Sequence, residues 1–123
     1  MQNDKSKFKK EFIQRLIRYS IRTIKICNEL RKDRNLYSVA DQLIRSATSI
    51  GANVIEAKSS SSRKDYIRYF EIALKSANET KFWLIVIKEC YPQSQEEIQN
   101  LLNETDELAK IIGSSVLTLK GKK

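Results

Sequence analysis

The sequence contains no histidine and only two cysteines, Cys27 and Cys90, which removes several common kinds of catalytic and metal site. Without histidine there is no imidazole base for a Ser-His or Cys-His nucleophile, and no Glu-x-x-His motif of the kind that ligates iron in helical bundles. A zinc site made of four cysteines, or of two cysteines and two histidines, cannot be built within one chain of this composition. We therefore predict a protein that is not an enzyme and has no cofactor or metal ion, with both cysteines as buried or half-buried reduced thiols.

Proline, glycine and long apolar runs are also scarce. One proline and three glycines among 123 residues favour helices over a turn-rich β fold. No apolar run approaches the roughly 18 residues that cross a bilayer. The charged start, MQNDKSKFKK, lacks the apolar core of a signal peptide. We expect one soluble, cytoplasmic, all-α domain over residues 1–123, without a membrane partner.

Three Ser-x-x-acid boxes mark predicted helix starts. In each box the serine side chain can accept a hydrogen bond from a free backbone NH, and the acid side chain can accept one from the backbone NH of the serine. The boxes are Ser38 with Asp41, Ser62 with Asp65, and Ser94 with Glu97. They predict helices over about 5–32, 38–58, 62–90 and 94–119. Since the connections are short, we expect an antiparallel up-down-up-down four-helix bundle.

Helical periodicity gives each predicted helix an apolar face. On the first helix this face holds Ile13, Leu16, Ile17, Ser20, Ile24 and Cys27. On the fourth it holds Ile98, Leu101, Thr105, Leu108, Ala109, Ile112 and Val116. The third has a stripe of Ile67, Phe70, Leu74, Ala77, Leu84 and Ile85, and a second apolar surface of Tyr69, Ile72, Trp83 and Ile87. The second surface predicts a homo-oligomer, because soluble monomers rarely expose large apolar patches; alternatively, a tight bundle encloses it.

The stretch RSATSIGANVIEA, residues 45–57, is rich in small residues. A phosphate-binding loop needs its glycine between a strand and a helix N-terminus, whereas Gly51 is in phase with a helical packing face. We therefore expect a helix that packs closely on a neighbour. We expect Asp41 to pair with Arg45, and Glu71, Lys75 and Glu79 to form a similar ladder, both on solvated surface.

Residues 42–89, QLIRSATSIGANVIEAKSSSSRKDYIRYFEIALKSANETKFWLIVIKE, resemble a known family. The matching pieces are Gln42-Leu43, Arg45-Ser46-Ala47, Ser49-Ile50, Ala52-Asn53, Glu56, Ile72-Ala73, Ser76-Ala77, Glu79 and Trp83-Leu84. The family is the four-helix-bundle proteins encoded in intervening sequences of bacterial 23S ribosomal RNA genes, whose relatives include accessory proteins of diversity-generating retroelements. Relatives commonly have glycine in place of Ala57 and Lys75, a departure that affects packing.

The resemblance implies an up-down bundle that assembles as a homo-oligomer, with a ring of five subunits expected. It also implies that Arg45, Asn53, Glu56 and Glu79 form a recurring polar network between helices or subunits. Its retroelement relatives look like basic scaffolds for nucleic acid and a reverse transcriptase.

The charge of the chain points to a function. Of the net charge of +8, nearly all comes from residues 1–34, which hold eleven Lys and Arg against four acids. Arg15, Arg18, Arg22 and Lys25 share one face of the first helix, and Lys5, Lys7, Lys9 and Lys10 precede them. Such a row suits phosphate oxygens, so we predict salt-sensitive binding to the backbone of RNA or DNA.

Three alternatives remain open at this point. The basic face could serve solubility alone. The chain could be a scaffold that docks a protein partner such as a reverse transcriptase. An enzyme that uses Glu56 or Glu79 would need convergent carboxylates, which no motif indicates.

Overall fold

The computed structural model describes residues 4–121, apart from the side chains of residues 4–6. The chain is all-α, as predicted, and its four long helices pack as a helical bundle. They are α1 (Asp4–Leu30), α2 (Tyr37–Ser59), α3 (Arg63–Cys90) and α4 (Gln95–Leu119), with a short 3-10 helix, Arg34–Leu36, before α2. Every predicted helix therefore begins and ends within two residues of its observed bounds.

The four helices do not pack equally. The α2–α3, α3–α4 and α1–α2 pairs have extensive contacts, whereas α1 and α4 touch more sparsely. All seven residues predicted to face inward from α4 are buried, so that prediction is confirmed. Leu101, Leu108 and Ile112 have no exposed surface, and truncating such a side chain to alanine costs about 2–5 kcal/mol.

The inward face of α1 differs from the prediction. Leu16 and Cys27 are buried as expected, but Ile17 and Ile24 are 52% and 40% exposed. Tyr19 and Thr23 are buried instead. The Tyr19 hydroxyl hydrogen-bonds to Thr105 of α4, and Thr105 in turn donates to the Leu101 carbonyl at 2.7 Å. This buried polar pair sets the rotation of α1, so that Tyr19 and Thr23 face the core while Ile17 and Ile24 face outward.

The second apolar surface of α3 is only partly present. Ile87, expected on the surface, is completely buried, because the core side of α3 extends further round than the predicted stripe. Tyr69 and Trp83 are half-buried against the core, and Ile72 is exposed. Ile85, expected in the core stripe, is 51% exposed. Phe82 lies beside it on the surface and is 56% exposed.

The three serine boxes behave differently from one another. Ser62 caps α3 as predicted, since its hydroxyl accepts from the Asp65 NH at 3.1 Å. Ser38 lies inside α2 and is not a cap, because the 3-10 helix precedes it and Asp33 caps that helix by accepting from the Asn35 NH. Ser94 holds the N-cap position of α4 but makes no side-chain cap, since its backbone is left-handed with φ 58°.

The predicted surface ladders do not form. Asp41 pairs with Arg31 at 2.5 Å instead of with Arg45, because the end of α1 lies closer to it than the next turn of α2. Glu71 pairs with Lys120, across from α3 to the end of α4. Long side chains on adjacent helices therefore replace the pairs expected within one helix.

The cysteines differ from each other. Cys27 is buried, its thiol lies 3.5 Å from the Ala40 carbonyl, and burial raises the pKa of this thiol to about 11. Cys90 is exposed, which corrects the expectation of burial; it is the last residue of α3, before the short connection to α4.

Gly51 lies in the middle of α2 and faces α1. A Cβ at this position would lie 3.5 Å from the Leu16 Cβ and 3.8 Å from the Ser20 hydroxyl. The predicted close packing of the small-residue stretch on a neighbouring helix is confirmed.

No helix within residues 4–121 combines the length and apolar character needed to cross a bilayer. The same part of the chain holds no group of three acidic or thiol side chains that could ligate a metal ion.

Candidate nucleic-acid interface

The outer surface of α1 is divided along its length into two flanks. The flank next to α4 carries the predicted cations, because Arg15 reaches Glu104 of α4. The flank next to α2 carries apolar residues, because Ile17 and Ile21 line a shallow groove with Gly51 and Ile55. A single helix thus presents a charged side and an apolar side to the surroundings.

Arg15 is held in an ion pair within the bundle. Its Nε donates to one carboxylate oxygen of Glu104 at 2.6 Å, and its Nη2 donates to the other at 2.7 Å. The Arg15 hydrogen bond holds the pKa of Glu104 below its ordinary value, and Arg18 and Arg22 add smaller attractions. Such a two-point pair is both strong and directional. Arg15, predicted to contact phosphate, is therefore occupied by Glu104.

The other three predicted cations are free. Arg18, Arg22 and Lys25 are exposed, and none of them forms an ion pair with any described residue. They span about 10 Å along the helix axis at 1.5 Å per residue. We call these three residues the basic stripe. Two guanidinium groups and one ammonium so placed can donate to phosphate oxygens of a nucleic-acid strand.

The lysines that precede the basic stripe extend its charge. Lys7, Lys9 and Lys10 are exposed at the start of α1. The side chain of Lys5 lies outside the described residues. Among the described side chains of α1, the exposed acids are Glu11 and Glu29. Exposed charges of both signs therefore occur near the ends of α1, whereas the exposed charges between these two acids are all positive.

The predicted polar network takes a different form. Between α2 and α3 the hydroxyls of Ser46 and Thr80 are 2.9 Å apart, and those of Ser49 and Ser76 are 3.0 Å apart. Asn53 joins them by donating to the Ser49 hydroxyl and carbonyl at 2.9 and 2.8 Å. We call these five residues the hydroxyl seam. Small side chains of this kind allow two helices to approach closely.

Of the four residues expected in that network, only Asn53 belongs to the hydroxyl seam. Glu79 accepts from the Trp83 indole NH at 3.1 Å, one turn further along α3. Arg45 and Glu56 are exposed on α2 and form no ion pair with any of the described side chains. The helical spacing of Ser46, Ser49 and Asn53, and of Ser76 and Thr80, is the sequence signal that would have identified the seam.

The apolar flank is the second surface feature near the basic stripe. Ile17, Ile21 and Ile24 of α1 are 52%, 47% and 40% exposed, and Ile55 of α2 is 43% exposed. Sequence periodicity placed Ile17 and Ile24 in the core, so this flank was missed.

Comparison with known proteins identifies the family. The profile of the 23S rRNA-intervening sequence protein family matches residues 9–114, which contain α2 and α3 in full, α1 without its first five residues and α4 without its last five. No match is found among curated proteins. Among solved structures, a protein with unknown function from the S23 ribosomal protein family of Bacteroides thetaiotaomicron is 30% identical, with a TM-score of 0.80 over 85% of this chain and 97% of that one. The fold, the matched span and this similarity agree: the chain belongs to the 23S rRNA-intervening sequence protein family.

Proposed function

We propose that this protein is a cytoplasmic, non-enzymatic homo-oligomer that binds the phosphate backbone of RNA or DNA through the basic stripe. The observation that carries the proposal is the arrangement of Arg18, Arg22 and Lys25, which are exposed in one row without a carboxylate partner among the described residues. Each phosphate that a cation neutralises releases counterions, so the contact favours binding and makes it salt-dependent. The similar Bacteroides protein is assigned to a ribosomal protein family, which is in keeping with an RNA ligand.

The proposed subunit is an antiparallel up-down-up-down bundle. Contacts between helix ends support this order: Arg63 at the start of α3 donates to the Leu119 carbonyl at the end of α4. At the other end of α3, Lys88 donates to Gln99 near the start of α4 at 2.6 Å. Helix α1 then presents the basic stripe along the side of the bundle.

The proposed oligomer is a ring, and the family resemblance implies five subunits. A ring larger than a dimer needs two different surfaces on each subunit, because the contact is head-to-tail. The subunit offers two such surfaces: the apolar flank of α1 and α2, and a separate pair on α3, Phe82 and Ile85, which we call the α3 patch. If the apolar flank of each subunit docked on the α3 patch of the next, the basic stripe would be repeated on every subunit around the ring.

The test of the binding proposal removes the basic stripe. We expect the triple change of Arg18, Arg22 and Lys25 to Ala to weaken binding to a single-stranded RNA at least about tenfold in about 50 mM salt. The slope of log affinity against log salt concentration should also decrease in magnitude by about two for each basic stripe that contacts the RNA. Fluorescence anisotropy between about 50 and 200 mM salt measures both quantities. Arg15→Ala is expected to act on stability more than on binding.

The matched control removes the same charge elsewhere. Arg34, Lys64 and Lys75 are exposed outside α1 and form no ion pair within the described part of the chain. Changing these three to Ala should alter affinity less than about threefold, since Lys64 and Lys75 lie about 16 Å apart along α3 and Arg34 lies on another element, so they do not form a row on successive turns. Equal losses in both triple variants, or no binding by the wild type at low salt, would overturn the proposal.

A second candidate function is a scaffold that docks a protein such as a reverse transcriptase. The exposed α3 patch favours it, because Phe82 packs edge-on against Trp83 and leaves 56% of its surface exposed. Copurification of a partner that survives nuclease and high salt, and is lost on Phe82→Asp, would support the scaffold over the nucleic-acid function.

A further inference from the structure

A cavity of about 360 Å³ lies among all four helices. The first part of α1, the last turns of α2, the first turns of α3 and the last turns of α4 all contribute to its lining. Its volume falls within the range of about 300–1,000 Å³ that is typical of small-molecule sites. The Arg63 bond to Leu119 holds α3 to α4 beside the cavity.

The cavity has an apolar floor and an exposed rim. Phe12, Val54 and Phe70 form the floor and are 9%, 2% and 7% exposed. The rim is formed by exposed residues, among them Lys9 of α1 and Lys58 of α2. Apolar side chains below and charged groups above fit a molecule with an apolar body and one charged end.

The charge at the rim has one sign. Lys9 and Lys58 are the charged residues of the lining, which includes no carboxylate among the described residues. Neither lysine forms an ion pair with any side chain of residues 7–121. Two ammonium groups on one rim, without a carboxylate partner among residues 7–121, favour an anion at the rim.

Tyr66 supplies a neutral donor on the wall. Its ring stacks on Phe70 with centroids 5.0 Å apart, and its hydroxyl forms no hydrogen bond with the described residues. Burial raises the pKa of Tyr66 above its ordinary value, so the hydroxyl keeps its proton at neutral pH. A phenol in this state can donate to a carboxylate oxygen.

We propose that this cavity binds an amphipathic monocarboxylate of the fatty-acid class, with its hydrocarbon chain on Phe12, Val54 and Phe70 and its carboxylate at Lys9 and Lys58. The hydrocarbon chain would replace water against the aromatic floor. The carboxylate would remain near the rim, where the two ammonium groups, the Tyr66 hydroxyl and solvent share it. This site is separate from the basic stripe and does not depend on nucleic-acid binding.

The direct test is calorimetric titration of the full chain with dodecanoate below its micelle concentration. We expect saturable binding of one dodecanoate per chain and a rise in melting temperature, because a ligand that binds only the folded state stabilises it. Dodecyltrimethylammonium has the same chain and the opposite charge, so it should not bind. Equal binding of the two amphiphiles, or no saturable binding of dodecanoate, would overturn the proposal.

Two variants locate the binding site. Lys9→Ala with Lys58→Ala should weaken dodecanoate binding about tenfold, whereas Lys25→Ala with Lys75→Ala, which removes the same charge away from the cavity, should change it less than about twofold. Ser115 lines the cavity, and Ser115→Phe should fill it and abolish binding while the chain stays folded by circular dichroism. Binding that persists in folded Ser115→Phe, or that falls equally in both lysine variants, would contradict the assignment.

Discussion

Glu104 determines how the first cation of the α1 row is used. Its carboxylate takes both hydrogen bonds of the Arg15 guanidinium and ties α1 to α4, where the two helices otherwise touch sparsely. Its side chain is 19% exposed and that of Arg15 is 34% exposed, so solvent screens the pair only in part. The pair therefore contributes to stability, while Arg18 and Arg22 remain available for a ligand.

We expect Glu104→Gln to destabilise the fold by roughly 1 kcal/mol at neutral pH, because it removes one charge from a half-buried pair. The Arg15 hydrogen bond lowers the pKa of Glu104 from its ordinary value of 4.5. The stabilisation is thus complete above that value and is lost as the pH falls through the lowered one. The difference in unfolding free energy between the wild type and Glu104→Gln, measured with denaturant at about pH 7, 5 and 3, should decrease as the pH falls.

The control for this prediction is Glu107→Gln, on the same helix. Glu107 is exposed and influences Arg15 only through its charge, without a hydrogen bond. It should cost less than about 0.5 kcal/mol. If the two variants were equally stable at every pH, the ion pair would not contribute.

At the scale of the helix, Gly51 is a position where the neighbour is close but does not require glycine. A Cβ would meet Leu16 and Ser20 at ordinary contact distances of 3.5 Å and 3.8 Å. Gly51→Ala should therefore stabilise the protein by about 0.5–1 kcal/mol, since alanine favours the helix. Gly51→Leu should destabilise it by about 1–3 kcal/mol, because the extra carbons must displace Leu16. Thermal and denaturant unfolding measure both.

Gly113 of α4 provides the comparison for Gly51. Its added Cβ would lie 3.9 Å from the nearest Leu74 carbon, so Gly113→Ala should give a similar gain. If Gly51→Ala lowered the stability while Gly113→Ala raised it, α1 and α2 would have to pack more closely than these distances indicate.

Sequence patterns predict the helices well because their ends carry local signals. Tyr91-Pro92 ends α3 and the Ser62 cap begins it, and both signals act within a few residues. The 3-10 helix capped by Asp33 was missed because the Ser38 box offers an equally good local signal. Only the packed structure chooses between two such caps.

The orientation of α1 and its charge partners could not be predicted in the same way. Apolar residues lie on several sides of α1, so periodicity alone does not decide whether Ile17 or Tyr19 faces the core. The choice depends on Thr105, 86 positions away in sequence, which hydrogen-bonds to Tyr19. The Arg15 pair with Glu104 spans a similar separation of 89 positions. Such long-range contacts carry no local pattern.

At the scale of the whole molecule, the proposed ring predicts a mass. Each chain has a mass of 14.3 kDa, and light scattering at micromolar concentration should give five times that value. Ile21 of the apolar flank and Ile85 of the α3 patch are 47% and 51% exposed. Ile21→Asp and Ile85→Asp should each lower the mass without unfolding the chain, because the new carboxylate is exposed in the monomer and would be buried only when subunits associate.

Mixing the two variants makes the test sharper. An Ile21→Asp chain keeps its α3 patch and an Ile85→Asp chain keeps its apolar flank, so one intact contact remains and the mixture should form a one-to-one dimer. Leu117→Asp, at a 47% exposed position of α4, should leave the wild-type mass unchanged. A monomeric wild type would contradict the oligomer.

The sparse contact between α1 and α4 also has a consequence for motion. Local opening of a fold requires the least free energy where the fewest buried contacts must be broken. Here that place is the α1–α4 boundary, closed by the Arg15–Glu104 pair and by Tyr19 on Thr105. Separation at this boundary would widen the cavity between the first part of α1 and the last turns of α4, while the extensive α1–α2, α2–α3 and α3–α4 contacts persisted.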